Sequence, residues 1–437
     1  MVFSAASSIF IKPFNNIAIF VNMTAKGIGK MSTEQLKQRI LHELYFEKSL
    51  SCADLSMRIH KSLPVTAKFI NELTEENYVV ENGYAPSSGG RRPLMFSLRP
   101  REKVVIAVAM DQLSTRIAVY DLTHTLVSDI QIIDLVLAHN PNALPTLVNF
   151  ISSYIDDCGF KKENIIGIGV GMPGFVDLEK GINYSFLDAG EENLQDYLSS
   201  KTGLPVYIDN DSCLIALAEL KFGKAKFKQN VMVVNIAWGI GLGMILNGEL
   251  FRGHSGFAGE FSHIPISETG NLCSCGKRGC LETDASLLVL EERALDGITN
   301  GRVSSLQQEL INHGQLTGDT IMKAANKGDQ YAIELISDAG YAIGKGLAVL
   351  IHIINPEIIV LSGRGATVGK ILSASMQQAI HKYAIPRLAA STELQISTLG
   401  FNAELVGAAA LVMEYVGKGI HKLKLGELLK KEEHIQI

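Results

Sequence analysis

Three cysteines fall within eight residues, as Cys273, Cys275 and Cys280, and His263 stands ten positions before the first of them. Three thiolates and one imidazole form one of the usual tetrahedral ligand sets for structural zinc. Gly270, Gly276 and Gly279 suit a chain that must fold tightly round one ion. The alternative is a chance cluster of buried free cysteines. Half of the chain's six cysteines lie in these eight positions, which favours the metal. Four protein ligands leave no open coordination position, so the ion would be scaffold and not catalyst. Glu260 and Glu282 flank the cluster, and such an ion could hold a binding site in shape. A second polar group, Asp209, Asn210 and Asp211, falls where a strand hands over to a helix. Acids and amides cap helices at that place in any case.

The elements that must position these groups are α/β. Residues 104–122 read as a strand, a turn and a second strand, rich in Val, Ile and Ala. A helix follows from about Pro145 to Cys158. Residues 165–177 form a buried strand ending in a Gly/Pro turn, and 205–223 a strand and helix. Residues 231–251 are again two strands joined by a glycine-rich turn. After the cysteine stretch come helices over Ala285–His313, Asp319–Ala325 and Gln330–Ile354, a strand and turn over 356–369, and a late helix at 400–416. Two strand–turn–strand units with glycine turns suggest two related lobes around a ligand-binding cleft.

The chain opens differently. Ser32 or Thr33 precedes acids and amides in a capping-box pattern. Leu36, Ile40, Leu41 and Leu44 then recur at helical spacing. Ser51 can cap a second helix, and Pro64 suits the first turn of a third. Strand, loop and strand follow, with Ser87-Ser88-Gly89-Gly90-Arg91-Arg92-Pro93 at the tip. Helices with a basic hairpin predict a winged helix-turn-helix. Arg91 and Arg92 would enter a narrow minor groove. Thr66, Lys68 and Asn71, with Glu72, would stand on the polar side of the third helix, towards the major groove. The plain alternative is a solvated helix and a surface turn.

A net charge of −5 provides no global attraction to nucleic acid, so DNA contact must come from that local patch. Cys52, Cys158 and Cys213 are scattered, which argues for a reducing cytoplasm rather than a disulfide framework. Residues 1–31 are apolar but interrupted by Lys12, Pro13, Asn15 and Asn16. They match neither a membrane helix nor a clean signal peptide and are expected to be a poorly ordered extension. The charged tail, 421–437, is expected to be solvated.

GMPGFVD at 171–177, DNDSCLIALAE at 209–219, GHSGFAGEFSH at 253–263 and CSCGKRGCLE at 273–282 resemble, in order and spacing, the motifs of the ROK family of repressors and sugar kinases. The resemblance implies an actin-like, ribonuclease H-like two-lobed domain over 101–420, preceded by a winged helix-turn-helix at 32–100. It implies sugar contacts by Asn210, Asp211, Glu260, His263 and Glu282, and structural zinc on His263, Cys273, Cys275 and Cys280. Carboxylates and a carboxamide can hold vicinal hydroxyls through several directed hydrogen bonds. In a kinase of this family Asp211 would be the catalytic base.

The phosphate-binding turns depart from the family. Where it has Asp-x-Gly-Gly-Thr, this chain has Asp111-Gln112-Leu113-Ser114-Thr115. Where its kinases have Gly-Thr-Gly, Ala237-Trp238-Gly239 stands, and the adenosine-side turn reads Ser362-Gly363-Arg364. Backbone amides cradle phosphates closely only where side chains leave room. The expectation is a non-enzymatic transcriptional regulator, a repressor of carbohydrate metabolism, that binds operator DNA and a monosaccharide or sugar phosphate. It would bind no ATP and no membrane and work as a homodimer or homotetramer. The alternative is an ATP-dependent kinase of glucose, N-acetylglucosamine or N-acetylmannosamine. Specificity would lie around Gly174, Phe175 and His254.

Overall fold

The computed structural model describes residues 31–86 and 92–419. The expected extension, the hairpin tip with Arg91 and the charged tail lie outside the described residues.

The first helix is Thr33–Glu47. Ser32 Oγ accepts from the Gln35 N–H at 3.2 Å, and Gln35 Oε1 accepts from the Ser32 N–H at 2.9 Å, closing a capping box. Ser51 and Asp54 repeat the device at Cys52–Arg58. Pro64 lies in the first turn of Leu63–Glu75. Strands Val79–Tyr84 and Leu94–Leu98 pair antiparallel behind these helices. Ile40, Leu41, Leu44, Leu55, Ile70 and Leu73 are buried in one cluster with Leu405, Leu411 and Val412 of the Ala403–Gly417 helix. The late helix thereby fastens the N-terminal helices to the rest of the chain. Each fully buried Leu or Ile in that seam contributes roughly 1.5–3 kcal/mol.

Two five-stranded sheets follow, with one topology. In the first, Val104–Met110 pairs antiparallel with Ser114–Asp121, which pairs with Gln131–Asp134. On its other side Val104–Met110 runs parallel to Ile165–Met172, and that strand to Val206–Asn210. In the second, Val231–Ile236 pairs antiparallel with Ile240–Leu246, and that strand with Glu249–Phe251. Val231–Ile236 then runs parallel to Ile358–Ser362, and that strand to Glu393–Ile396. The central strands are buried end to end, which is why they read as continuous Val/Ile runs.

Three local expectations change. Residues 231–251 make three strands, because Asn247 (φ 55°) and Gly248 (φ 77°) turn the chain tightly before Glu249. The helical stretch 285–313 breaks into Leu287–Thr299 and Leu306–His313, where Asn300 and Gly301 end the first helix. The Gly369–Tyr383 helix was not anticipated. It packs on Gln330–Ile354 at Gly340 and Gly344, where a Cβ would collide with Ser375 and Met376. Among the described residues no helix is long and apolar enough to cross a membrane.

Candidate functional site

A cleft with a cavity of about 320 Å³ lies between the two sheets. That falls at the lower end of small-molecule sites, roughly 300–1,000 Å³. Asn210, Asp211, Glu260, His263 and Glu282 all line it. The strand Val206–Asn210 delivers the first two, at the N-terminus of the Asp211–Phe222 helix. Asn210 Oδ1 accepts from the Ser212 and Cys213 N–H groups at 3.0 and 3.2 Å, so it caps that helix. Its Nδ2 donates to Gly174 O at 3.1 Å, leaving one amide hydrogen for a ligand. Gly174 is at φ 88°, and a Cβ there would strike Ser185.

Asp211 accepts from the Ser212 N–H at 2.7 Å and from Asn235 Nδ2 at 3.1 Å. Burial lifts its pKa to about 6, against the lowering effect of the hydrogen bonds from Ser212 and Asn235. Burial also raises the Glu260 carboxyl.

The loop carrying Glu260 leaves strand Glu249–Phe251 through Arg252. The Arg252 guanidinium grips the buried Asp209 carboxylate with two bonds, at 2.8 and 2.6 Å. This bidentate pair ties the loop to the end of the strand that carries Asn210. His263 then turns Nδ1 towards Cys273 Sγ at 3.6 Å, and Nε2 lies 3.7 Å from Glu260 Oε2. Cys275 and Cys280 sulfurs are 3.6 Å apart. The four ligand atoms of His263, Cys273, Cys275 and Cys280 lie within 4.8 Å of one another. Metal–ligand bonds of roughly 2.0–2.3 Å in a tetrahedron impose such spacing, so the residues fit a structural divalent ion. Gly279, at φ 73°, lets the loop pass where any Cβ would strike the Ser267 carbonyl.

Asp111, Gln112 and Ala237–Gly239 line the same cavity from the other side, and side chains engage them there. Asp111 Oδ1 accepts from the Leu113 and Ser114 N–H groups at 2.9 and 2.6 Å, stabilising its own turn. Arg364 Nη2 donates to Asp111 Oδ2 at 2.8 Å, and Nη1 to Asp319 Oδ2 at 2.8 Å. The Arg364 guanidinium lies 4.7 Å from the Trp238 ring centre and 4.2 Å from that of Phe401. Arg116 covers Phe401 too, at 3.5 Å, and pairs with the buried Glu404 at 3.3 Å.

Phe257 of this site carried no local signal, whereas Phe175 is among the expected specificity residues. Phe175 and Phe257 make an edge-to-face wall at 5.5 Å, joined by Tyr184 at 6.2 Å. Only contact across the cleft reveals Phe257. His254 is exposed and lies outside the cavity lining.

At the N-terminal helices, Thr66 needs correction. It is fully buried and its hydroxyl bonds Ser62 O at 3.1 Å, so it is not on the polar face. Lys68, Asn71 and Arg92 are exposed; Lys68 lies 3.8 Å from Glu72.

Fold and site thus define a two-lobed α/β protein with a polar cleft, a His/Cys cluster beside it and an N-terminal helical unit. A model of the ROK family matches residues 105–415, and the chain belongs to that family. It is 31% identical over 383 residues to the xylose repressor of Bacillus spizizenii, covering 86% of this chain and 94% of that protein. It is 36% identical over 256 residues to a glucokinase of Halalkalibacterium halodurans, covering 58% of this chain and 78% of that one. Among solved structures it superposes on a ROK family transcriptional regulator, a homolog of the E. coli MLC protein. The TM-score is 0.72 at 26% identity, over 90% of this chain and 98% of that one.

Proposed function

We propose that the chain is a sugar-responsive transcriptional repressor of carbohydrate metabolism that binds operator DNA and turns over no nucleotide. The observation that carries this reading is the contrast between the two ends of the cleft. The sugar end keeps Asn210, Asp211, Glu260, His263 and Glu282 in the cavity lining. At the nucleotide end Arg364 is bonded to Asp111 and Asp319 and lies over the Trp238 and Phe401 rings. The similarity to a repressor takes in 86% of the chain, against 58% for a glucokinase, which supports the same choice.

The residues fit zinc on His263, Cys273, Cys275 and Cys280. The ion would contribute no chemistry beyond fixing the loop that aims Glu260, His263 and Glu282 at the sugar. The unit spanning 32–100 would act as a winged helix, with Lys68, Asn71 and Arg92 towards DNA. Two such units in a homodimer or homotetramer would meet a two-fold operator.

The Asp211–Phe222 helix supports a route between the sites. Asp211 stands in the cavity at one end. At the other, Phe222 stacks on Phe46 at 5.8 Å, and Lys221 pairs with Glu414 at 2.7 Å while lying 4.3 Å over the Phe46 ring. A rigid element touching both sites can bias one through the other only if sugar prefers one lobe arrangement.

Thermal shift tests the reading. A sugar at about 100 times its Kd should add about 2.7 kcal/mol of stability, and ATP with magnesium should add none. A coupled assay with ATP and glucose, N-acetylglucosamine or N-acetylmannosamine decides against the kinase alternative; measurable turnover overturns the non-enzymatic reading.

A further inference from the structure

The third helix of the N-terminal unit, Leu63–Glu75, starts with apolar side chains left in water. Leu63 is 52% exposed and Val65 38%, and Pro64 between them is exposed too. The helix has a separate core face, made by Phe69, Ile70 and Leu73, which are buried. No side chain from Leu63 to Ala67 can hydrogen-bond a base. Thr66 has the only polar group of the five, and it is buried with its hydroxyl on Ser62 O at 3.1 Å. Pro64 shares its helix face with Lys68 and Asn71, which are both exposed. The apolar start therefore continues into the side chains proposed to meet DNA.

Charge decides which end of this helix a polyanion approaches. The first turn contains no acid, and Lys61 and Lys68 lie on either side of it in the chain. Glu72 and Glu75 stand at the far end, with Glu76 just beyond. Lys37 bonds Glu72 and Glu76 at 2.8 and 2.6 Å, and this single cation offsets only part of their charge. DNA is thus drawn to the end that carries Leu63, Pro64 and Val65 and repelled from the other. In a helix-turn-helix the first residues of such a helix face base edges in the major groove. The apolar group displayed there is the thymine methyl. Contact with Leu63 and Val65 would take apolar surface of both partners out of water. We infer that Leu63 and Val65 read thymine through its methyl group, and so set the sequence specificity of the operator site. The inference rests on the reading of residues 32–100 as a DNA-binding unit.

The test uses the full chain and a DNA site selected from a random pool. Each thymine of that site is replaced in turn by deoxyuridine, which removes the methyl and keeps the base pairing. At one or more thymines of each half-site this should weaken wild-type binding by roughly threefold or more. At those positions Val65→Ser or Leu63→Ser should bind the two forms of the site equally. Both side chains are exposed, so the variants should keep the wild-type fold, which circular dichroism checks. Lys68→Ala, by comparison, should weaken binding to both forms and leave the methyl effect in place. Absence of a methyl effect at every thymine in the wild type overturns the inference while leaving the DNA-binding reading intact. A methyl effect that survives in both serine variants overturns it too, and if those variants also fail to self-associate, a second copy of the chain is the occupant of this surface. If no DNA site can be selected, the DNA-binding reading fails and the inference falls with it.

Discussion

Arg364, which follows the last long strand of the second lobe, donates to Asp111, in the first hairpin turn of the first lobe, at 2.8 Å. The pair joins residues 253 positions apart and spans the two lobes. Both side chains are nearly buried, at 12% and 15% exposure, so the bond is shielded from solvent. Removing the cation leaves Asp111 without its only ion-pair partner among the described residues. Arg364→Ala should therefore lower unfolding stability by roughly 1–3 kcal/mol. Urea titration checks this, and a loss below experimental error would show that the pair adds no stability.

Asp211 should make sugar binding depend on pH. Its pKa, lifted to about 6 by burial, lies above the ordinary aspartate value. Only the ionised carboxylate accepts hydrogen bonds on all its lone pairs. Affinity should be constant above about pH 7 and fall as the pH drops through 6, by up to roughly tenfold per unit. Calorimetry from pH 8 to 5 checks it. The variant Asp211→Asn should bind weakly with a flat profile. A wild-type affinity that is level down to pH 5 would exclude Asp211 from the sugar contacts.

Cys275→Ser should release the metal. Three ligands hold zinc far less well than four, and the loop that carries Glu260, His263 and Glu282 would lose its anchor. Metal analysis of the purified variant should find no stoichiometric zinc, and its sugar affinity should fall by at least roughly tenfold. A variant with normal sugar binding and no metal would show that Asp209–Arg252 and backbone turns suffice to hold the loop.

Phe222→Ala should separate the two binding activities. The side chain packs on Tyr45, Phe46 and His124, 11 residues beyond Asp211. Sugar affinity should stay within about threefold of wild type, while the sugar's effect on DNA affinity shrinks by roughly tenfold. Parallel calorimetry and fluorescence anisotropy distinguish these quantities. An unchanged sugar effect on DNA would place the coupling elsewhere.

What could be read from residues alone was what depends on neighbours in sequence. Ser32 with Gln35, Ser51 with Asp54, and Asn210 ahead of its helix are local capping arrangements, and each occurs as the residue types suggest. The cluster of Cys273, Cys275, Cys280 and His263 was legible because these residues crowd into 18 positions, and their side chains do converge. The departures in the three phosphate turns were visible too, but their consequence was not. That Arg364 meets Asp111, Asp319, Trp238 and Phe401 depends on four parts of the chain converging. Thr66 was misjudged on residue type, because a threonine hydroxyl satisfied by the preceding turn can be buried at little cost. Phe257 was missed because aromatic walls have no spacing rule.

The central claim is that sugar controls DNA binding. It is tested by selecting a DNA site in vitro from a random pool with the full chain, then measuring affinity for that site with and without the sugar that binds. A ligand with a twofold preference is of little use to a switch, and typical couplings are about 5–150-fold. The account predicts that saturating sugar changes DNA affinity at least roughly tenfold and that ATP changes nothing. Equal DNA affinity with and without bound sugar would contradict it.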